Sequence, residues 1–124
     1  MRLSDVVSHV AIDPRKLTDY ALDPEHPIGC HKARVFEALG FTRDNYKSLL
    51  EQIESAALAA EAHLGWSDAR GAHYSVDLEI TGPAGQQAII RTGWLVRPNS
   101  DEARLTTLYV RKKGRKDEGG SGTV

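Results

Sequence analysis

YSVDLEIT, Tyr74 to Thr81, is the stretch where the periodicity of the chain changes, and the fold turns on that change. Tyr74, Val76, Leu78 and Ile80 alternate with Ser75, Asp77, Glu79 and Thr81, the two-residue period of a strand with one buried face. TGPAGQ breaks the run as a turn, and AIIRTGWLVR, Ala88 to Arg97, resumes it. PNSDEA is a second loop and RLTTLYVRK, Arg104 to Lys112, a third strand, which together predict an antiparallel meander.

Upstream the period is 3.6. Tyr46, Leu49, Leu50, Ile53, Ala57, Ala60 and Leu64 keep it over about five turns, starting from a Thr42 cap and ending at Gly65, with GWSDARGA as a polar connector. Lys32, Val35, Phe36 and Leu39 form a shorter stripe stopped by Gly40. DPRKLTDYAL, Asp13 to Leu22, reads as an aspartate cap, a proline at the first helical position and one or two helical turns, and Val6 to Ile12 as an edge strand. Helices followed by strands predict an α+β domain, with two N-terminal helices, one of them long, packed on a small antiparallel β-meander of three to four strands. One such domain spans residues 1–112, and residues 113–124 are too polar and glycine-rich to bury anything, which predicts a flexible tail.

With 40% hydrophobic and 27% charged residues, the composition is that of a soluble globular chain. No window nears the ~18 apolar residues of a membrane helix, and MRLSDVVSHV carries an acid where a signal peptide has its apolar block. The expected location is cytoplasmic, without a membrane partner. A single cysteine, Cys30, excludes an internal disulfide and a zinc site built on paired thiolates. Charge is unevenly spread: residues 1–88 carry 8 Lys and Arg against 13 Asp and Glu, whereas residues 89–116 carry 8 against 2. A cationic strand region suits a polyanion, or an intramolecular match with the acidic half. RKKGRK adds non-specific phosphate attraction or is only a solvated tail.

HPIGCHKARVF, His26 to Phe36, concentrates the candidate chemistry. Gly29 opens a helix whose first turn holds His31, Lys32 and Arg34, so backbone N–H groups, the positive helix end and cations converge on a potential anion site. Lys32 lies on the apolar stripe, where a lysine either snorkels past its neighbours or points into a cleft. His26, between prolines, can titrate near neutral pH. The H-x3-C-H spacing of His26, Cys30 and His31 lacks the matching ligand pair a closed zinc site wants, so neither metal nor cofactor is expected. On the second strand Arg91 and Arg97 share one face with Gly93 and Leu95, while Trp94 shares the other with Ile90, Thr92 and Val96 and reads as core. Strict alternation leaves both faces of the third strand mixed, so it does not say which carries Thr107 and Tyr109.

From Lys16 to Tyr109 the chain resembles an uncharacterised family of small bacterial domains with the pattern K-L-x-x-Y-x-L, H-P-x-G-x-x-K-A-x-x-F, L-G-F, G-P-x-G, W-x-V-R and L-x-T-x-Y. That family is in turn similar to the barnase, EndoU, colicin and RelE-like toxin ribonucleases, which put two helices before an antiparallel sheet. The resemblance implies metal-independent RNA cleavage and a small cognate antitoxin or immunity protein. It carries over as positions only: His26, Lys32, Trp94, Thr107 and Tyr109. In that chemistry His26 acts as base or acid, Lys32 and Arg91 clamp the phosphate, and Thr107 and Tyr109 donate hydrogen bonds, with Gly29, His31, Arg34 and Arg97 as further phosphate contacts. The alternative is a non-enzymatic binding module, immunity-like or adaptor, in which the same loop only packs the helix onto the sheet.

Overall fold

A computed structural model describes residues 1–113. The expected tail at 113–124 lies, apart from its first residue, outside them. Strand β1 (His9–Ala11) leads to a π-helical turn (Leu17–Ala21), helix α1 (Cys30–Ala38), a 3-10 turn (Arg43–Asn45) and helix α2 (Tyr46–Ala57). Strands β2 (Ala62–Asp68), β3 (Gly71–Thr81), β4 (Gln87–Val96) and β5 (Glu102–Lys113) follow.

The expected architecture is corrected in three ways. The sheet has five strands in the order β1-β5-β4-β3-β2 and is mixed, because β1 joins β5 in parallel through His9↔Glu102, Val10↔Ala103 and Ala11↔Arg104. Neither helix is long: α1 has 9 residues and α2 has 12. The stretch read as the end of the long helix and a connector is instead β2, paired antiparallel with β3. The physical reason is tertiary. The N-terminal segment takes the carbonyls just past α2 that a longer helix would use, with the Leu3 N–H on Ala60 O at 3.1 Å and the Ser4 N–H on Leu58 O at 2.9 Å, while Ala62 N–H donates to Met1 O at 2.7 Å. Those bonds stop the helix although its apolar period continues to Leu64.

Local signals place the remaining boundaries. Thr42 accepts from the Asp44 N–H at 3.3 Å, and Asn45 Oδ1 accepts from the Thr42 N–H at 2.8 Å, which starts the turn into α2. Gly40, at φ +93, lets the chain leave α1 with the Phe41 N–H on Phe36 O at 2.9 Å. Leu49 and Ile53 of α2 and Phe36 of α1 are fully buried in one core with Val76, Leu78, Ile80, Ile90 and Trp94.

Within that core Trp94 Nε1–H donates to Thr92 Oγ1 at 2.8 Å, and the Thr92 hydroxyl donates to Val76 O at 2.7 Å. Thr92→Val keeps the shape and strands the indole N–H, so it is expected to cost about 1–3 kcal/mol, measured by denaturant unfolding; an unchanged midpoint would mean the indole finds another acceptor.

Extra residues in two strand pairs decide which side chains face out. Gly65 of β2 has no partner between Leu64↔Tyr74 and Trp66↔His73, and Thr106 of β5 has none between Trp94↔Leu105 and Gly93↔Thr107. The second bulge sends Leu105 and Leu108 into the core and leaves Thr107 and Tyr109 on the face away from α2.

Candidate site on the open sheet face

Residues of β3, β4 and β5 line up across this open face. Ser75, Gly93 and Thr107 form one row, and Asp77, Arg91 and Tyr109 form the next. Beside them His73 carries Trp66 of β2 stacked on its ring, with centroids 4.4 Å apart and planes 16° from parallel. Together they border a cleft of about 340 Å³ whose lining includes Trp66, His73, Arg91, Gly93, Thr107 and Tyr109.

Lys32 reaches this face from α1, which packs against the π-helical turn and β5. Its ammonium donates to Tyr20 Oη at 3.0 Å and to Thr107 Oγ1 at 3.1 Å. It lies 4.6 Å from the Tyr20 ring centroid and 5.8 Å from that of Tyr109. Among the described residues no carboxylate lies within 4.0 Å of it. A half-buried ammonium held by hydroxyls, with one donor left, is a position for an anion.

The neighbouring cations share one acid. Arg91 grips Asp77 in two bonds, Nε to Oδ1 at 2.9 Å and Nη2 to Oδ2 at 3.1 Å, and Arg111 Nη1 adds a third at 2.8 Å. The Asp77 hydrogen bond raises Arg91 above its ordinary value against the pull of desolvation, with the Tyr109 hydroxyl adding to the rise. The Arg91 hydrogen bond holds the Asp77 carboxyl below its ordinary value, burial opposing and the Arg111 charge assisting. This depression contributes stability that is present above the unfolded pKa, near 3.9, and is lost as pH falls through the folded value. Asp77→Asn is therefore expected to be less stable than wild type at pH 7, with the difference narrowing as pH falls below the unfolded value and closing once it is below the folded one; a gap that does not narrow in acid would assign the loss to something other than this ionisation.

His26 lies behind the site, on the loop that leads into α1. Its Nδ1 accepts from the Ile28 N–H at 3.0 Å and the Gly29 N–H at 2.9 Å, so the ring ties down the loop that leads into α1, with its proton on Nε2. Its ring also meets Tyr20 edge-on, centroids 5.0 Å apart. Gly29 is buried against the π-helical turn: a Cβ there would overlap the Tyr20 carbonyl oxygen and stand 3.0 Å from the carbonyl carbon. The loop donors just before α1 are thus taken up by His26, while the Lys32 ammonium is carried away from them to the sheet.

The other expected phosphate contacts are dispersed. His31 and Arg34 are exposed on α1, and Arg34 lines a separate cavity of about 700 Å³ together with Asp19, Glu37, Arg43 and Asp44, where acids outnumber cations. Arg97 is exposed just beyond β4, beside Lys16 and Arg104. Trp94 is wholly buried. Lys32, Arg91, Thr107 and Tyr109 therefore share one face, with His26 supporting it from behind Tyr20.

The sequence reading did not place Tyr20, Asp77, Trp66 or His73 in the site. Asp77 was within reach, since the turn between β3 and β4 pairs it with Arg91. Tyr20 stood in the K-L-x-x-Y-x-L stretch, but its approach to Lys32 depends on the turn widening, with the Leu22 N–H on Leu17 O at 2.7 Å. Among the described residues no three His, Cys, Asp or Glu gather as a metal site, and no helix is long and apolar enough to cross a membrane.

Comparison with protein families matches residues 2–112 to a domain of unknown function, DUF6883. The chain belongs to the DUF6883 family. No curated protein and no solved structure matches this DUF6883 chain. Its membership agrees with the small-domain resemblance, whereas the further likeness to toxin ribonucleases finds no support in these comparisons.

Proposed function

We propose that this DUF6883 domain is a metal-independent ribonuclease of the toxin type that acts at the open sheet face. What carries the reading is Lys32, an ammonium without a carboxylate partner among the described residues, held by the hydroxyls of Tyr20 and Thr107. Cleavage through a 2′-hydroxyl creates negative charge on phosphorus and needs two proton transfers. Lys32 and Arg91 neutralise the charge, Thr107 donates to a phosphate oxygen, and the phenols of Tyr20 and Tyr109 serve the proton transfers. His26 holds Tyr20 and α1 in place. The excess of cations over acid on this face fits an acidic antitoxin or immunity protein as the partner, and an RNA target fits action in the cytoplasm.

The test is digestion of total RNA and tRNA by purified protein in the presence of EDTA. The expected products carry 2′,3′-cyclic phosphate ends, and RNA left intact over a wide enzyme range would sink the proposal. One observation favours the rival reading of a non-enzymatic binding module: Leu64 and Trp66 are 54% and 60% exposed on the outermost strand. Such a module expresses freely without a neighbouring small gene and leaves RNA whole.

A further inference from the structure

We infer that the cleft beside Lys32 takes one unpaired nucleobase of a single-stranded RNA, stacked on Trp66, so that the site selects single strands over duplex. The inference rests on the ribonuclease reading and names its substrate class.

Trp66 is an unusual residue to leave in water, at 60% exposure, and it is not loose. One face of its ring lies on His73, whose Nε2 is 3.4 Å from Asp68 Oδ1, and the His73 side chain is only 12% exposed. The indole is therefore a fixed platform with its other face available. Across the cleft stand Tyr109, 37% exposed, and Arg91, a second pair of flat groups.

The floor between them is kept low by Gly93. A Cβ there would meet Thr107 Cγ2 at 3.0 Å and Thr106 Oγ1 at 3.1 Å, so any side chain would crowd the space where a ring would lie. The polar atoms within reach are hydroxyls of Ser75, Thr106 and Thr107, which donate or accept and discriminate weakly among bases.

Distance separates this platform from the phosphate position. β2 and β5 are three strand spacings apart, on the order of 14 Å, so one phosphate cannot touch both Trp66 and Lys32. A strand crossing the face instead puts a base at one end and a phosphate further along at the other. Three cations, Lys32, Arg91 and Arg111, lie along that path; Asp77 holds two of them, and Asp68 stands at the other end against His73. Rings and cations together are the chemistry of single-strand binding, and a duplex keeps its base faces hidden.

The experiment uses the full chain and a 2′-O-methyl hexanucleotide, which has no free 2′-hydroxyl and so stays whole. The chain has two tryptophans and Trp94 is fully buried, so a change in tryptophan emission reports Trp66. Saturable quenching by the single strand is expected, and none by the same strand annealed to its complement. Because the variants lack that reporter, their affinity is read, beside wild type, from the anisotropy of the same hexanucleotide carrying a 5′-fluorescein: Trp66→Ala is expected to weaken binding roughly tenfold or more, while Trp66→Phe keeps most of it. Equal affinity of Trp66→Ala and wild type, equal affinity for the duplex, or an emission change caused only by a co-purified protein overturns the inference. Cleavage of natural RNA by the same preparations separates the two ideas. Cleavage with binding indifferent to Trp66 overturns the base site alone, and binding through Trp66 without cleavage overturns the ribonuclease reading alone.

Discussion

Lys32→Ala is expected to lower kcat/KM for RNA cleavage by about 10²-fold or more, the usual effect of deleting one fixed donor that meets transition-state charge, while the thermal midpoint stays close to that of wild type. The fold survives because alanine is the best helix former and the ammonium sits at the end of its stem on the open face. What is lost is the charge held between Tyr20 Oη and Thr107 Oγ1, 3.0 and 3.1 Å away. Lys32→Arg is expected to recover little, since a planar fork does not replace a point donor seated between two hydroxyls. Cleavage by Lys32→Ala at the wild-type rate would remove the phosphate role from this residue.

Gly29→Ala is expected to destabilise the domain by about 3 kcal/mol, the upper part of the range for overpacking, because the obstacle is backbone. The added methyl would overlap the Tyr20 carbonyl oxygen, with the carbonyl carbon at 3.0 Å and ring atom Cδ1 at 3.2 Å. The π-helical turn cannot retreat freely, since Leu17, Ala21 and Leu22 are buried in the core. Any retreat that does occur draws Tyr20 from Lys32, so cleavage should fall together with stability. A variant with the wild-type denaturation midpoint would show that the turn yields at little cost.

The two substitutions also mark how legible the site was. Lys32 is visible as a lysine on an apolar stripe, and the structure shows what its head meets there: the hydroxyls of Tyr20 and Thr107. Gly29 reads in the sequence as the opening of an anion-binding helix entrance, and in the structure its missing side chain leaves room for the Tyr20 carbonyl. His26 was read as an acid or base, and its Nδ1 is occupied by two backbone donors. Both positions meet the same limit of a sequence. The sequence names the groups at a helix entrance and does not say whether protein or ligand satisfies them.

Periodicity by itself determined that the second half of this chain forms alternating strands, that Trp94 and Thr92 face inward, and that Arg91 faces the other way. Those are consequences of side-chain direction along a strand and need no knowledge of distant partners. Tertiary structure alone decided where α2 stops, because the bonds that end it come from residues 1–4. It alone set the edge strand β1 parallel to β5 and placed β2 at the far edge. It also decided that Thr107 and Tyr109 stand on the open face, since a single unpaired residue, Thr106, reverses the alternation between Leu105 and Leu108. A bulge is set by the register between two strands, which no period within one strand contains.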